Sequence, residues 1–344
     1  MLSCARTGTL SGKAVIAMKR IVSLLLTLAL LLSLCAAASA DEPALRVTAM
    51  KGPTGMGMVQ LMRACEEGGE LAGQNWQIDI KSAIDEVTPL LVRGEVDIAA
   101  IPANLASVLW NNTQGEIQVL AVNTLGVLYI VENGETVQTA EDLRGRTIYA
   151  SGQGATPEYA LNYILKGKGL EPGQDVTIEW KSEHAECLAA LLADEDGIAL
   201  LPQPFVTTAQ MQNETVRVAL DLNVLWDELQ SGAENPSALL TGVLVVRKAY
   251  AEANPETVAA FMDAYAASVA FAQTDIDAAA ELIAAYEIVP KAAIARKALP
   301  ACNIVCIEGE EMKAKLSGYL AVLFEANPKS VGGQLPDEAF YYMR

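Results

Sequence analysis

Residues 81–104 read KSAIDEVTPLLVRGEVDIAAIPAN, and residues 181–204 read KSEHAECLAALLADEDGIALLPQP. At an offset of one hundred, Lys81-Ser82 matches Lys181-Ser182, Leu91 matches Leu191, Ile98-Ala99 matches Ile198-Ala199 and Pro102 matches Pro202. Upstream, Gly52 matches Gly152. In each copy a Ser opens a helical stretch, and a short apolar run then ends on proline. The run VDIAAI (96–101) is apolar almost throughout, as in a parallel strand covered on both faces. The same order of elements at one offset predicts two similarly built α/β lobes.

Working outward, the first copy predicts strands at 45–50, 76–80 and 96–101. A breaker-rich turn at 52–57 leads into a helix at 58–67. A second helix is opened by Ser82, with Asp85 three residues on. The second copy predicts strands at 146–150, 176–180 and 198–201, a glycine turn at 151–156 and a helix to residue 165. There Pro157 takes a favoured early helical position, and a further helix runs from Ser182 to residue 193. Strands at 117–123 and 126–131 lie between the copies, and another extends over 239–246. The chain then turns helical at 255–272, 276–286 and 311–325, a tail expected to pack on one lobe. Crossings near 123–126 and 240–243 read as hinge strands. Lobe 1 is accordingly expected at 44–124 plus 243–344, and lobe 2 at 125–242.

The first forty residues read as a secretory signal. Met18-Lys19-Arg20 starts a basic region, an apolar run follows to Leu34, and Ala38-Ser39-Ala40 forms a cleavage site before Asp41. Residues before Met18 read as an upstream extension. A lipid anchor on Cys35 is the rival reading, but Leu34 is bulky where such a signal needs a small residue. The apolar run is too short to span a membrane.

The whole chain of 344 residues carries 24 Lys+Arg, 42 Asp+Glu and one His, a net charge of −18. Cleavage removes four basic and no acidic residues, leaving 304 residues at net −22. That balance excludes a phosphate-backbone binder, so no nucleic-acid partner is expected. A lone His makes a His-ligated catalytic metal untenable, and neither a metal nor a cofactor is expected. Four Cys remain after cleavage, at 65, 187, 302 and 306, too few for a disulfide scaffold. Sequence leaves open whether Cys302 and Cys306 pair.

Ligands of open α/β sheets bind beyond the carboxyl ends of the strands. The loops there are 52–57, 102–104, 151–157 and 202–204, with Thr241-Gly242 at the hinge. Gly52, Gly55, Gly57, Gly152 and Gly154 permit close backbone approach. Thr54, Asn104, Ser151, Thr156 and Gln203 offer neutral hydrogen-bonding groups, while Met56 and Pro204 offer apolar walls. Lys51 is the one nearby cation. His184, Glu183 and Glu186 read as helix-start residues. The 52–57 turn has P-loop spacing, but Met58-Val59 replace the Lys and Ser/Thr that the motif needs. After Gly152 and Gly154, Pro157 stands in place of the third glycine of a dinucleotide fingerprint.

The stretches VTAMKGPTGMGMVQLM (47–62), LVRGEVDIAAIPANLASVLWN (91–111) and YASGQGATPEYALNYIL (149–165) resemble the extracytoplasmic solute-binding proteins of ABC importers. The resemblance is to the branch holding nitrate, alkylsulfonate, taurine and thiamine-pyrimidine-precursor receptors, and the G-E-x-D-I-A stretch from Gly94 to Ala99 carries it most specifically. It implies a type II periplasmic-binding fold: two lobes, two hinge strands and a closing cleft. It further implies ligand loops at Gly52 to Gly57, Ala103-Asn104, Gly152 to Pro157 (with Gln153, Ala155 and Thr156) and Gln203-Pro204, with Thr241 at the hinge. The expected partners are a small polar or anionic solute and a membrane permease with its ATPase. The expected location is periplasmic or on the outer face of the cytoplasmic membrane, and the expected state a monomer. A ligand-sensing partner of a signalling receptor, or an exported enzyme on the same fold, are the alternatives. An enzyme would need clustered reactive His or Cys at the cleft.

Overall fold

The computed structural model describes residues 45–68, 71, 75–233 and 236–344. The signal, cleavage and lipid-anchor readings on residues 1–40 lie outside the described residues. Strand β1 (Arg46–Met50) leads through a single helical turn, α1 (Pro53–Met56), to α2 (Val59–Glu67). The breaker-rich turn expected at 52–57 is therefore partly helical, because Pro53 at its first position has a preset φ. Next come β2 (Gln77–Lys81), α3 (Ile84–Val92), β3 (Ile98–Pro102), α4 (Ala103–Asn112) and β4 (Ile117–Leu125). The second copy contains β5 (Leu128–Asn133), β6 (Thr147–Ser151), α5 (Thr156–Gly167), β7 (Thr177–Lys181), α6 (His184–Ala193), β8 (Ile198–Pro202), α7 (Phe205–Gln212), β9 (Val216–Asp221) and α8 (Leu222–Gln230). The chain closes with β10 (Leu240–Arg247), α9 (Lys248–Ala253), α10 (Pro255–Thr274), α11 (Ile276–Ala285), α12 (Ala292–Ala298), β11 (Ile304–Ile307) and α13 (Gly309–Ala326).

One sheet has the order β11-β4-β10-β3-β1-β2 and the other β7-β6-β8-β5-β9. Read outward from β2 and β7, five strands follow the same plan. In the first sheet β1, and in the second β6, pairs in parallel with its two neighbours. An antiparallel strand, β10 or β5, then lies beside the third. The register repeats too: Met50 faces Lys81, and Ser151 faces Lys181. β3 and β8, as expected of doubly covered strands, are buried over their first four residues. The helix starts also match. Glu86 Oε1 accepts from the Ser82 and Ala83 amides at 3.2 and 2.9 Å, and Glu186 Oε2 accepts from the Ser182 amide at 3.0 Å. Each helix begins two residues beyond its Ser, because a glutamate from the first turn closes the end.

The chain crosses between the sheets through Gly126-Val127 and returns ahead of β10. Thr241-Gly242 lies within β10, in the extended run expected there. Gly242 packs so closely that a Cβ there would meet Thr54 Cγ2 at 2.4 Å and Asn123 Oδ1 at 2.5 Å. The helical tail does not confine itself to one lobe. Helix α13 packs against both α4 and α5, and the ring of its buried Tyr319 lies tilted against Trp226 of α8, 5.9 Å between centroids. Cys65, Cys187, Cys302 and Cys306 are free thiols.

Candidate functional site: a cleft between matching sheets

A cavity of about 320 Å³ lies where the carboxyl ends of β3 and β8 meet. One side consists of Ile84, Pro102, Asn104, Leu105 and Thr241. Facing it are Val127, Leu128 and Pro202, with Ala155, Thr156 and Pro157 at the start of α5 and His184 at the start of α6. The repeat relates several of these residues: Ile84 and His184 open equivalent helices, and Pro102 and Pro202 end equivalent strands. Across the gap, Thr156 Oγ1 donates to Asn104 Oδ1 at 3.4 Å, and it also pairs with the Tyr319 hydroxyl at 3.0 Å. The Tyr129 hydroxyl donates to the Ala301 carbonyl at 2.9 Å, a second tie between the lobes.

Of the loop residues expected from sequence, Asn104, Ala155, Thr156 and Thr241 line this cavity. The others are placed elsewhere. Met56 is wholly buried in a core with Tyr265 and Ile304 rather than forming a wall. Gly55 and Gly57 serve that packing, since a Cβ on Gly55 would meet the Met50 carbonyl oxygen at 2.5 Å. The Thr54 carbonyl accepts from Asn123 Nδ2 at 3.2 Å. Gly52 caps α1 with φ +95° and open space around its Cα. Ala103 is buried in the core. Gln203 turns inward, its Oε1 accepting from the Thr207 amide at 3.3 Å and hydroxyl at 2.9 Å. Pro204, joined to Gln203 by a cis peptide bond, caps α7. Gln153 and Gly154 are exposed. Gly154 lines a separate groove between α5 and α13, and its amide donates to Glu158 Oε2 at 2.6 Å. Gly152 shapes the turn instead: its φ is +83°, and a Cβ would meet Pro157 Cγ at 2.8 Å. Lys51 is exposed and does not line the cavity.

Ser151 stays out of the cavity but supports it. Its hydroxyl, on a residue only 2% exposed, lies 2.6 Å from His184 Nδ1. The His184 ring tilts against Phe205 at 5.4 Å between centroids. Burial holds the His184 imidazole below its ordinary pKa, which favours the neutral ring. Burial pushes the neighbouring Cys187 thiol up, so it stays protonated. Among the described residues no carboxylate hydrogen-bonds to His184. In the sequence His184 reads as a helix-start residue, and the offset of one hundred sets it opposite Ile84.

The most specific sequence motif falls far from this cleft. Asp97 of G-E-x-D-I-A lies at the amino end of β3, only 1% exposed. It accepts from Arg46 Nη2 at 2.8 Å and from Arg247 Nη2 at 2.5 Å, while Arg46 also donates to the Gly94 carbonyl at 2.9 Å. The motif builds a buried ion cluster, and the cleft opens at the other end of the same strand.

Known structures share this architecture. An ABC transporter protein from Parabacteroides distasonis has a TM-score of 0.73 at 23% identity, over 88% of this chain and 100% of that one. The periplasmic aliphatic sulphonate binding protein SsuA from Escherichia coli has a TM-score of 0.68 at 18% identity, over 88% and 93% of the two chains. A desulfurization enzyme, DSZB, reaches 0.56 at 15% identity, over 82% of this chain and 92% of that one. These likenesses establish the type II periplasmic-binding fold, and the last shows that the fold also hosts catalysis. No curated protein matches the sequence. Residues 68–288 match the family described as the phosphonate periplasmic substrate-binding protein of ABC transporters, and with that span well over half its length the chain belongs to this family.

Proposed function

We propose that this chain is the extracytoplasmic receptor of an ABC importer, which closes on a small solute and delivers it to a membrane permease. The cavity between the sheets carries the reading, because its walls come from both lobes and a ligand there contacts both at once. Contacts completed only when the lobes meet shift the population toward the closed form. The lobes are residues 44–124 with 243–344, and residues 125–242, hinged where the chain crosses. The chain works outside the cytoplasmic membrane after its leader is removed. It works without catalysis: Ser151 is buried, and its His partner lacks an orienting carboxylate among the described residues. A thermal-shift screen of phosphonates, sulfonates, amino acids and uncharged heterocycles tests the receptor role. A ligand at one hundred times its Kd raises stability by about 2.7 kcal/mol. A screen in which no solute moves the melting temperature overturns the proposal.

A further inference from the structure

We propose that the cleft takes a small uncharged solute with an apolar body, whose hydrogen-bonding groups meet His184 on one wall and Thr241 on the wall facing it. The inference rests on the receptor reading and specifies its ligand class. The family's description names a phosphonate, and this cavity offers one no side-chain cation.

Its lining includes no Lys, Arg, Asp or Glu. An anion held without a cation needs unpaired amides at helix starts. Three helices, α3, α5 and α6, begin at the cavity through Ile84, Thr156 and His184. Just ahead of each of those helices a glutamate of this chain accepts from an amide, while the first helical amides, those of Ile84, Thr156 and His184, have no protein acceptor among the described residues. Glu86 takes the Ser82 and Ala83 amides, Glu158 takes the Gly154 amide and Glu186 takes the Ser182 amide. These carboxylates offset the positive helix ends, and an entering phosphonate would meet like charge instead.

The remaining wall is apolar: Ile84, Leu105, Val127, Leu128 and three prolines. Two of its polar residues are engaged within the protein. Asn104 Nδ2 donates to the Ser330 carbonyl at 3.1 Å and its Oδ1 accepts from Thr156. Thr156 also pairs with Tyr319. Two side-chain polar groups on the lining have no protein partner among the described residues: the Thr241 hydroxyl and His184 Nε2. Ser151 holds Nδ1, so the ring orientation is set and Nε2 is the atom left to read a ligand. At about 320 Å³ the space lies at the small end of ligand sites.

His184 is the one histidine in the chain, so its imidazole C–H signals are unambiguous in a proton NMR spectrum. The mature chain is titrated with two probe sets: nicotinamide, thymine and indole as uncharged solutes, and methylphosphonate and ethanesulfonate as anions. The expected result is that an uncharged probe shifts the His184 signals and the anions do not. Calorimetry on His184→Asn and Thr241→Val should then show affinity for that probe falling at least tenfold, with circular dichroism confirming the fold of each variant. Thr241→Val keeps the side-chain shape, so it reports on the hydroxyl even if the histidine variant fails to fold. Anions that bind and shift the His184 signals overturn the ligand class while leaving the receptor reading intact. If neither set binds, the ligand class falls and the cleft no longer supports the receptor reading. An uncharged probe that binds equally to both variants overturns the assigned contacts.

Discussion

Asp97 shows how a buried charge is stabilised. Burial alone would raise its pKa, but hydrogen bonds from Arg46 and Arg247 outweigh it and hold the carboxyl below the ordinary carboxylate value. A carboxylate depressed in the folded state adds stability that is fully present above its unfolded pKa, near 4, and is lost as pH falls through the lower folded value. Urea midpoints should therefore decline below about pH 4, and less steeply in Asp97→Ala. At pH 7 that variant leaves two part-exposed arginines without their shared partner and should cost about 1.5–3 kcal/mol. An unchanged urea midpoint at pH 7 would show that the cluster contributes nothing. Gly152 makes a second test. An Ala there meets both a left-handed φ and the Pro157 ring, so Gly152→Ala should destabilise by about 1–3 kcal/mol. Thermal melts would measure it, and a melt equal to that of the parent would remove the steric reading. At this scale the sequence was legible in residue type and misleading in role. The glycines at 55 and 57 looked like ligand-approach positions, yet they allow backbone and side chains to pack.

Among the elements, the carboxy-terminal tail departs most from expectation. Its amphipathic spacing announced a helix at 311–325, and α13 forms there. Periodicity states that a helix has a buried face but not what covers it. In the fold both lobes contribute, through α4 and α5. Beyond α13 the chain returns to the first sheet, where the Tyr342 amide donates to the Val119 carbonyl at 2.9 Å. There Phe340, fully buried, packs edge-on against Trp110 at 5.5 Å. Phe340→Ala should cost about 3–5 kcal/mol, read as a lower urea midpoint. A loss below about 1 kcal/mol would mean that the tail docks without adding to the core. Strands β9 and β11 were missing from the sequence reading. β9 is partly exposed, and β11 has four residues, so neither carries enough periodicity to stand out from loop.

For the whole molecule, the contacts across the cleft bear on its motion. Thr156 bonds to both Asn104 and Tyr319, Tyr129 to Ala301 and Asn327 to Tyr159, all neutral hydrogen bonds worth about 1 kcal/mol each, and Tyr319 packs on Trp226. Opening breaks these contacts, and a ligand bound to both walls favours the closed form. Small-angle scattering should record a larger radius of gyration without ligand and compaction at saturation. Superimposable profiles would overturn the trapping motion.

The sequence by itself determined the duplicated α/β plan. Apolar strands, Ser-led helices and proline stops recur at one offset, and they are local signals that survive without tertiary context. It also placed the carboxyl-end loops from which the cavity is drawn. Tertiary structure decided which residues of those loops face the cleft. Direction depends on packing against distant partners: Tyr265 and Ile304 behind Met56, Thr207 beside Gln203, Ser151 fixing His184. The glutamates at the helix starts, by contrast, are local pairs three or four residues apart, within reach of a sequence reading.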